Sequence, residues 1–188
     1  MRAFNKAFLV MLLMFPPSSP AAYLAASFGT SEVQAEGFGD ASAKKISFGL
    51  GLVPDKLMIE LSYLNLGKFE ADAAVLAETM DRFDVVIDSA SAEITGEEIS
   101  LVGSMPLGDA ISLRGRVGRY KWDLKADQGF TFTGFGNGFF STDGKDWSLG
   151  AGLALALGKS AELTFAFDRY QAFETDFDFV NAGISIGF

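Results

Sequence analysis

Residues 147–168 read Trp147-Ser148-Leu149-Gly150-Ala151-Gly152-Leu153-Ala154-Leu155-Ala156-Leu157-Gly158-Lys159-Ser160-Ala161-Glu162-Leu163-Thr164-Phe165-Ala166-Phe167-Asp168. Leu149, Leu153, Leu155 and Leu157 fall on one side of the first half, and Ser148, Gly150, Gly152, Ala154 and Ala156 on the other. After a tight turn at Gly158-Lys159-Ser160, Leu163, Phe165 and Phe167 alternate with Glu162, Thr164, Ala166 and Asp168. Period two is the strand signature, where a helix would repeat at 3.6. The second row is too small to be a solvated exterior, since glycine weakens a strand unless close packing demands it. Small side chains do suit the lumen of an eight-stranded barrel, whose interior side chains just fill the space. The bulky row then faces lipid, where a mid-plane Arg or Lys would cost ~2–4 kcal/mol.

The same unit recurs along the chain. Tyr23–Gly29 is a weak first strand, and Lys45–Leu52 a clear second, with Ile46, Phe48, Leu50 and Leu52 opposite Lys45, Ser47, Gly49 and Gly51. Leu57, Ile59, Leu61 and Tyr63 form one face of a third strand, opposite Glu60 and Ser62. Ile99, Leu101 and Met105 alternate with Glu98, Ser100 and Ser104; Leu113 and Val117 alternate with Ser112, Arg114 and Arg116. Val180, Ala182, Ile184, Ile186 and Phe188 close the series. Together these make eight strands. The connections at 53–56, 106–109 and 158–160 are short, whereas those near 30–44, 67–92, 124–142 and 172–176 are longer or more polar. Strict short–long alternation describes an all-β, eight-stranded antiparallel up-and-down transmembrane β-barrel, not a Greek key.

The first residues carry a different signal. Arg2 and Lys6 precede the apolar run Ala7–Phe15, and Pro16–Ala22 breaks it with small residues. A basic start, a short apolar core and a small-residue exit form a secretory signal peptide. The core is too short to span a bilayer as a helix. Ser19 and Ala21 suit the −3 and −1 positions, so residues 1–21 read as a signal peptide and 22–188 as the barrel.

Composition narrows the function. The chain has no histidine and no cysteine among its 188 residues, which removes His-based triads, His general bases, disulfides and zinc–thiolate sites. A formal charge of −9 argues against nucleic acid as a partner. No cofactor is expected and no metal site either: the acids Glu70, Asp72, Glu78, Asp81, Asp84 and Asp88 lack calcium-loop spacing. They read as a solvated loop, with a faint helical period at Ala73, Ala74, Leu76, Ala77 and Met80. Bridging of divalent ions to lipopolysaccharide is the sharper alternative. The run Gly129–Phe140 has neither the spacing nor the lysine of a nucleotide loop, and reads as a contact patch or a strand extension above the membrane.

Strand phase sorts the charges. Glu60, Glu98, Arg114, Arg116, Glu162 and Asp168 all fall on the small, inward face. Unpaired buried charge is expensive, so these should pair across the lumen. The preferred bridge joins Glu60 to Arg114 or Arg116. Lys45 and Lys121 are expected near strand ends, outside the hydrocarbon. Tyr63, Trp122, Trp147 and Tyr170 also fall near strand ends, and read either as an interfacial girdle or as core packing.

Four stretches resemble a known family. Leu57–Gly67, Leu-Met-Ile-Glu-Leu-Ser-Tyr-Leu-Asn-Leu-Gly, is similar to the glutamate-containing third strand of OmpA-like outer-membrane barrels. Ser112–Asp123, Ser-Leu-Arg-Gly-Arg-Val-Gly-Arg-Tyr-Lys-Trp-Asp, is similar to the family's fifth strand. Phe167-Asp168-Arg169-Tyr170 and the closing Gly183-Ile184-Ser185-Ile186-Gly187-Phe188 extend the match. The resemblance implies a buried glutamate–arginine network at Glu60 and Arg116. It puts Ala166 where the family carries a seventh-strand acid, so that Asp168 or Glu162 stands in. It also implies an assembly signal at Phe188, supported by Ile186 and Ile184, read by the outer-membrane insertion machinery. With no sequence after Phe188 for a peptidoglycan-binding domain, wall anchoring is not carried over, and the small barrel-only members are the closer analogues.

These readings lead to a non-catalytic protein of the Gram-negative outer membrane, in contact with outer-membrane lipid and lipopolysaccharide, monomeric, and contributing to envelope integrity and surface interaction through four loops. The alternatives are a narrow, porin-like ion channel and a secreted lipocalin-like binder of an apolar ligand. The binder would put Phe and Leu inward and show a polar exterior.

Overall fold

The computed structural model describes residues 22–34, 38–53, 56–71, 87–130, 138–158, 160–172 and 175–188. The expected signal peptide, the faint helical period near 73–80 and most of the Gly129–Phe140 run lie outside these residues. Eight strands follow in order: β1 (Ala22–Val33), β2 (Ala41–Val53), β3 (Leu57–Glu70), β4 (Ile87–Pro106), β5 (Ile111–Phe130), β6 (Gly138–Ala156), β7 (Ala161–Ala172) and β8 (Thr175–Gly187). Each pairs antiparallel with its neighbours, and β1 pairs with β8, closing the barrel. The two ends of the sheet are tied by Ala22 N–H donating to the Phe188 carbonyl and Phe188 N–H to that of Ala22. Closure leaves no edge, the condition for a sheet in hydrocarbon.

The strands are longer than the alternation of bulky and small residues suggests, because the pattern inverts partway along each one. Near the short turns, bulky residues point out and small or polar ones point in. Leu149, Leu153, Phe165, Ile184 and Ile186 are all substantially exposed on the outer wall, while Ser47, Ser100 and Ser185 are buried inside. Toward the other end the phase continues but the chemistry reverses. On β5, Tyr120 and Trp122 are buried inside, while Arg119, Lys121, Asp123 and Lys125 face out. On β8, Phe177 and Phe179 are inside, and β3 contributes Leu64, Leu66 and Phe69. Residues 30–33, 41–44, 67–70, 87–92, 124–130 and 138–142, read as loop from the sequence, are strand: above lipid a barrel obeys the soluble rule, apolar in and polar out.

The switch occurs once per strand. Phe28, Ile46, Tyr63, Ile99, Val117, Trp147, Phe167 and Val180 are the last apolar outward residues, and Thr30, Lys44, Asn65, Glu97, Arg119, Lys145, Arg169 and Asp178 the first polar ones. This ring marks the membrane surface at the end away from the short turns. On β3 the phase shifts at a bulge between Asn65 and Gly67, opposite Thr95 and Ile94. Gly67 adopts φ 97°, a region open to glycine at little cost. Asn65 Oδ1 accepts from Gly67 N–H at 2.7 Å, and its Nδ2 donates to Glu93 at 2.9 Å. The bulge moves Phe69 inward after Leu66, so three successive inward residues of β3 are bulky.

Candidate functional site: a lumen closed in two layers

The charged inward residues meet in the middle of the barrel. Lys45, on β2, lies with its Nζ 3.2 Å from Glu60 Oε1 and 3.0 Å from Glu98 Oε2. Arg116, on β5, reaches Glu60 Oε1 at 3.3 Å, Glu98 Oε1 at 3.5 Å and Asp168 Oδ1 at 2.6 Å. Two cations thus serve three carboxylates, and neutral donors supply the remainder. Tyr23 donates to Glu60 at 2.6 Å, Ser62 to Glu60 at 3.2 Å, and Ser148 to Glu98 at 2.5 Å. Tyr170 donates to Glu98 at 3.3 Å while accepting from Arg116 at 3.0 Å, and Asn181 donates to Asp168 at 3.1 Å. Pairing and hydrogen bonding of this kind offset the cost of burying charge, and Arg116 Nε is the one atom of the network left buried without a hydrogen bond. Gly150 makes room for the network: a Cβ there would sit 2.1 Å from Asp168 Oδ1.

Of the two partners foreseen for Glu60, the barrel's stagger brings Arg116. Arg114, two residues nearer the short turns, pairs instead with Glu162 at 2.5 Å, and Ser185 donates to the same carboxylate at 3.1 Å. Asp168, not Glu162, occupies the place opposite Arg116, and Ala166 lies inward without an acid. All six sequence-derived charges line the lumen. Lys45 does not sit outside the hydrocarbon as expected; it is buried at the centre of the network. Its phase, shared with Ser47 and Gly49, pointed inward, but the extension of β2 back to Ala41 was hidden by the polar Ser42 and Lys44. Lys121 does lie outside, exposed on the outer wall beyond the belt.

A second layer sits above the ionic one. Leu64, Leu66, Phe69, Ile94, Tyr120, Trp122, Phe177 and Phe179 pack into a buried cluster in the half of the barrel away from the short turns. Tyr120 and Tyr170 meet edge-on with ring centroids 5.1 Å apart, and Phe69 and Phe177 pack tilted at 5.5 Å. Trp122 and Tyr170 therefore belong to the core, and Trp122 Nε1 donates inward to Asp146 at 2.8 Å. Tyr63 and Trp147 instead point outward at the rim of the apolar belt, where an interfacial girdle would lie. Tyr170 joins the layers: its ring packs above and its hydroxyl meets Lys45, Arg116 and Glu98 below.

Below the ionic layer the lumen opens toward the short turns as a vestibule of about 460 Å³, lined by small residues such as Gly51, Ser104, Ala154 and Gly187. It ends at Arg114 and Glu162. No three Asp, Glu, His or Cys side chains among the described residues are arranged so that they could hold a metal ion. No helix among them is long and apolar enough to cross a membrane, an absence that says nothing of crossing by strands.

Comparison with known proteins agrees with this geometry. Ail, the attachment invasion locus protein of Yersinia pestis, solved with the heparin analogue sucrose octasulfate, superposes with a TM-score of 0.60 at 11 % identity, covering 90 % of this chain and 99 % of that one. Neisserial surface protein A gives 0.57 at 12 % identity, with 89 % and 96 % covered. The N-terminal barrel of Pseudomonas aeruginosa OprF gives 0.51 at 14 % identity, with 90 % and 98 % covered. No curated protein matches by sequence. The profile of the outer membrane protein beta-barrel domain, however, matches residues 7–188. The chain is accordingly a member of the outer-membrane β-barrel family, an all-antiparallel eight-stranded barrel of the Gram-negative outer membrane.

Proposed function

We propose that this barrel works by its outer surface rather than through its lumen: a non-catalytic protein that contributes to envelope integrity and to surface interaction. The observation that carries the reading is the pair of layers filling the lumen in series, one ionic and one apolar. General diffusion needs a continuous aqueous path, and eight strands leave an interior that side chains fill. The exposed bulky residues of the outer wall speak against a lipocalin-like binder. Meanwhile β4, β5 and β6 carry their strands beyond the apolar belt, presenting a polar sheet on the cell exterior. In this reading residues 1–21 direct export. The outward-facing Ile184, Ile186 and Phe188, all exposed at the barrel's closing seam, are what the insertion machinery reads.

The test is a deletion strain challenged with detergent and a large antibiotic, complemented by the full chain or by a chain whose four long connections are cut to tight turns. Sensitivity restored to normal by the full chain but not by the trimmed one supports the proposal. Equal rescue by both, or no phenotype in cells and no surface binding, overturns it. Loss of outer-membrane insertion on Phe188→Ser with Ile186→Ser, with the soluble precursor accumulating, tests the assembly role separately.

A further inference from the structure

Neighbouring strands do not run equally far beyond the apolar belt. β6 pairs with β7 only from Ser148, opposite Tyr170, to Ala156, opposite Glu162, whereas its pairing with β5 continues out to Gly138. β7 turns away at this point: the Gln171 carbonyl accepts from the Tyr120 hydroxyl at 2.8 Å, and Ala172 pairs with Thr175 of β8. Gly138–Trp147 of β6 therefore has a strand on one side and, among the described residues, none on the other. That is about 30 Å of open sheet edge. Open edges invite strand pairing, and proteins blunt them with proline, bulges, lysine or inward-pointing charge. Gly138–Trp147 contains no proline and a single lysine, and its register with β5 runs without a bulge. Its one inward charge, Asp146, is already held by Trp122 Nε1.

The outward row of this edge carries a charge pattern. Lys145 registers against Lys121, and Asp143 against Asp123. Like charges directly opposite each other across a strand pair are destabilising. Neither Asp143 nor Lys145 forms an ion pair among the described residues. The row meets like charge on its β5 side and no strand on the other.

We propose that the free edge of β6 docks an extended segment of another protein, added as an antiparallel strand with an acid opposite Lys145 and a base opposite Asp143. This rests on the surface-interaction reading above and names the kind of partner. Main-chain hydrogen bonds supply the affinity of an added strand, and alternate side chains its specificity. Because the partner runs against β6, it reads acid, any residue, base from N- to C-terminus as it leaves the membrane. An apolar residue two places before the acid falls beside the exposed Trp147. The residue between acid and base lies opposite Gly144, where the Trp122 ring fills the space of the missing side chain, so an apolar residue suits that position too.

A second copy of this chain does not meet these requirements. Two barrels in one membrane run their β6 strands in the same sense, so the edges could meet only in parallel. Asp143 and Lys145 would then each stand at the height of its own counterpart, like charge against like.

The experiment uses the purified, folded barrel in lipid nanodiscs and two labelled peptides of identical composition. One, Val-Thr-Glu-Val-Lys-Thr-Val, has the order the edge calls for; the other, Val-Thr-Lys-Val-Glu-Thr-Val, has its charges exchanged. Fluorescence anisotropy should show wild type binding the first about tenfold more tightly, since two cross-strand pairs change from repulsive to attractive. Hydrogen exchange read by mass spectrometry should slow on Gly138–Trp147 when that peptide is bound. The double variant Asp143→Lys with Lys145→Asp should invert the preference. Equal binding of the two peptides, binding of neither, protection on another strand, or a double variant that keeps the wild-type preference overturns the proposal. A heat-dependent shift in gel mobility reports folding. Its loss in the double variant alone moves the test to Lys145→Gln, expected to narrow the preference about threefold and overturning the proposal if it does not. Failure here, with the full chain still rescuing the deletion strain and the trimmed one not, strikes the β6 edge and leaves the surface reading standing. Equal rescue by both strikes that reading itself.

Discussion

Lys45 and Glu98 meet at 3.0 Å in the middle of the barrel, and both side chains are almost wholly removed from solvent. Lys45 also holds Glu60 at 3.2 Å, which makes it one of only two cations neutralising three carboxylates. That imbalance gives the two sides of the network different weights. Lys45→Met leaves Glu60, Glu98 and Asp168 with Arg116 alone, and should cost ~3–5 kcal/mol in urea unfolding from lipid vesicles, as for a buried pair deprived of one partner. Glu60→Gln leaves two cations for two carboxylates and should cost only ~1–3 kcal/mol. Equal losses would show that charge balance does not govern the lumen.

Conductance should depend on both layers. In planar bilayers the wild-type barrel is expected to stay closed, and Glu60→Ala should leave it closed because the apolar layer still blocks the path. Trp122→Ala alone should behave likewise, since the ionic layer remains. Only the combination is expected to give discrete ion steps. Openings from either single variant would mean that the layers do not act in series.

Gly67 should be hard to replace. Its φ of 97° and the Ser42 carbonyl, 2.5 Å from where a Cβ would lie, both oppose a side chain. Gly67→Ala should destabilise the folded barrel by ~1–3 kcal/mol. The bulge also turns Phe69 into the lumen, so fluorescence quenching of Trp122 by a water-soluble quencher should rise as the apolar layer loosens. An unchanged unfolding midpoint would remove the bulge from the list of structural determinants.

The outer wall should report depth. Leu153→Arg places a cation within the apolar belt and should cost ~2–4 kcal/mol, whereas Lys145→Leu at the ring should change stability by less than ~1 kcal/mol. Similar costs at both sites would place the membrane boundary elsewhere.

Much of this molecule is written in its alternation. The bulky and small rows of 147–168 determine strand period, the outward direction of the apolar face and, through the short and long connections, an up-and-down barrel. Those features are local: a residue's face follows from its position in the pleat, and its cost in lipid from its own chemistry. Inward phase alone also placed Glu60, Arg114, Arg116 and Asp168 in the lumen. The tertiary structure decided what local pattern cannot. Barrel stagger determines which residues on distant strands share a height, so it paired Arg116 with Glu60 and Asp168, sent Arg114 to Glu162 and brought Lys45 between two glutamates. It also decided where Trp122 and Tyr170 belong. Their phase was legible, but the reversal from lipid outside to water outside, which turns a rim aromatic into a core one, depends on the height at which all eight strands leave the membrane together.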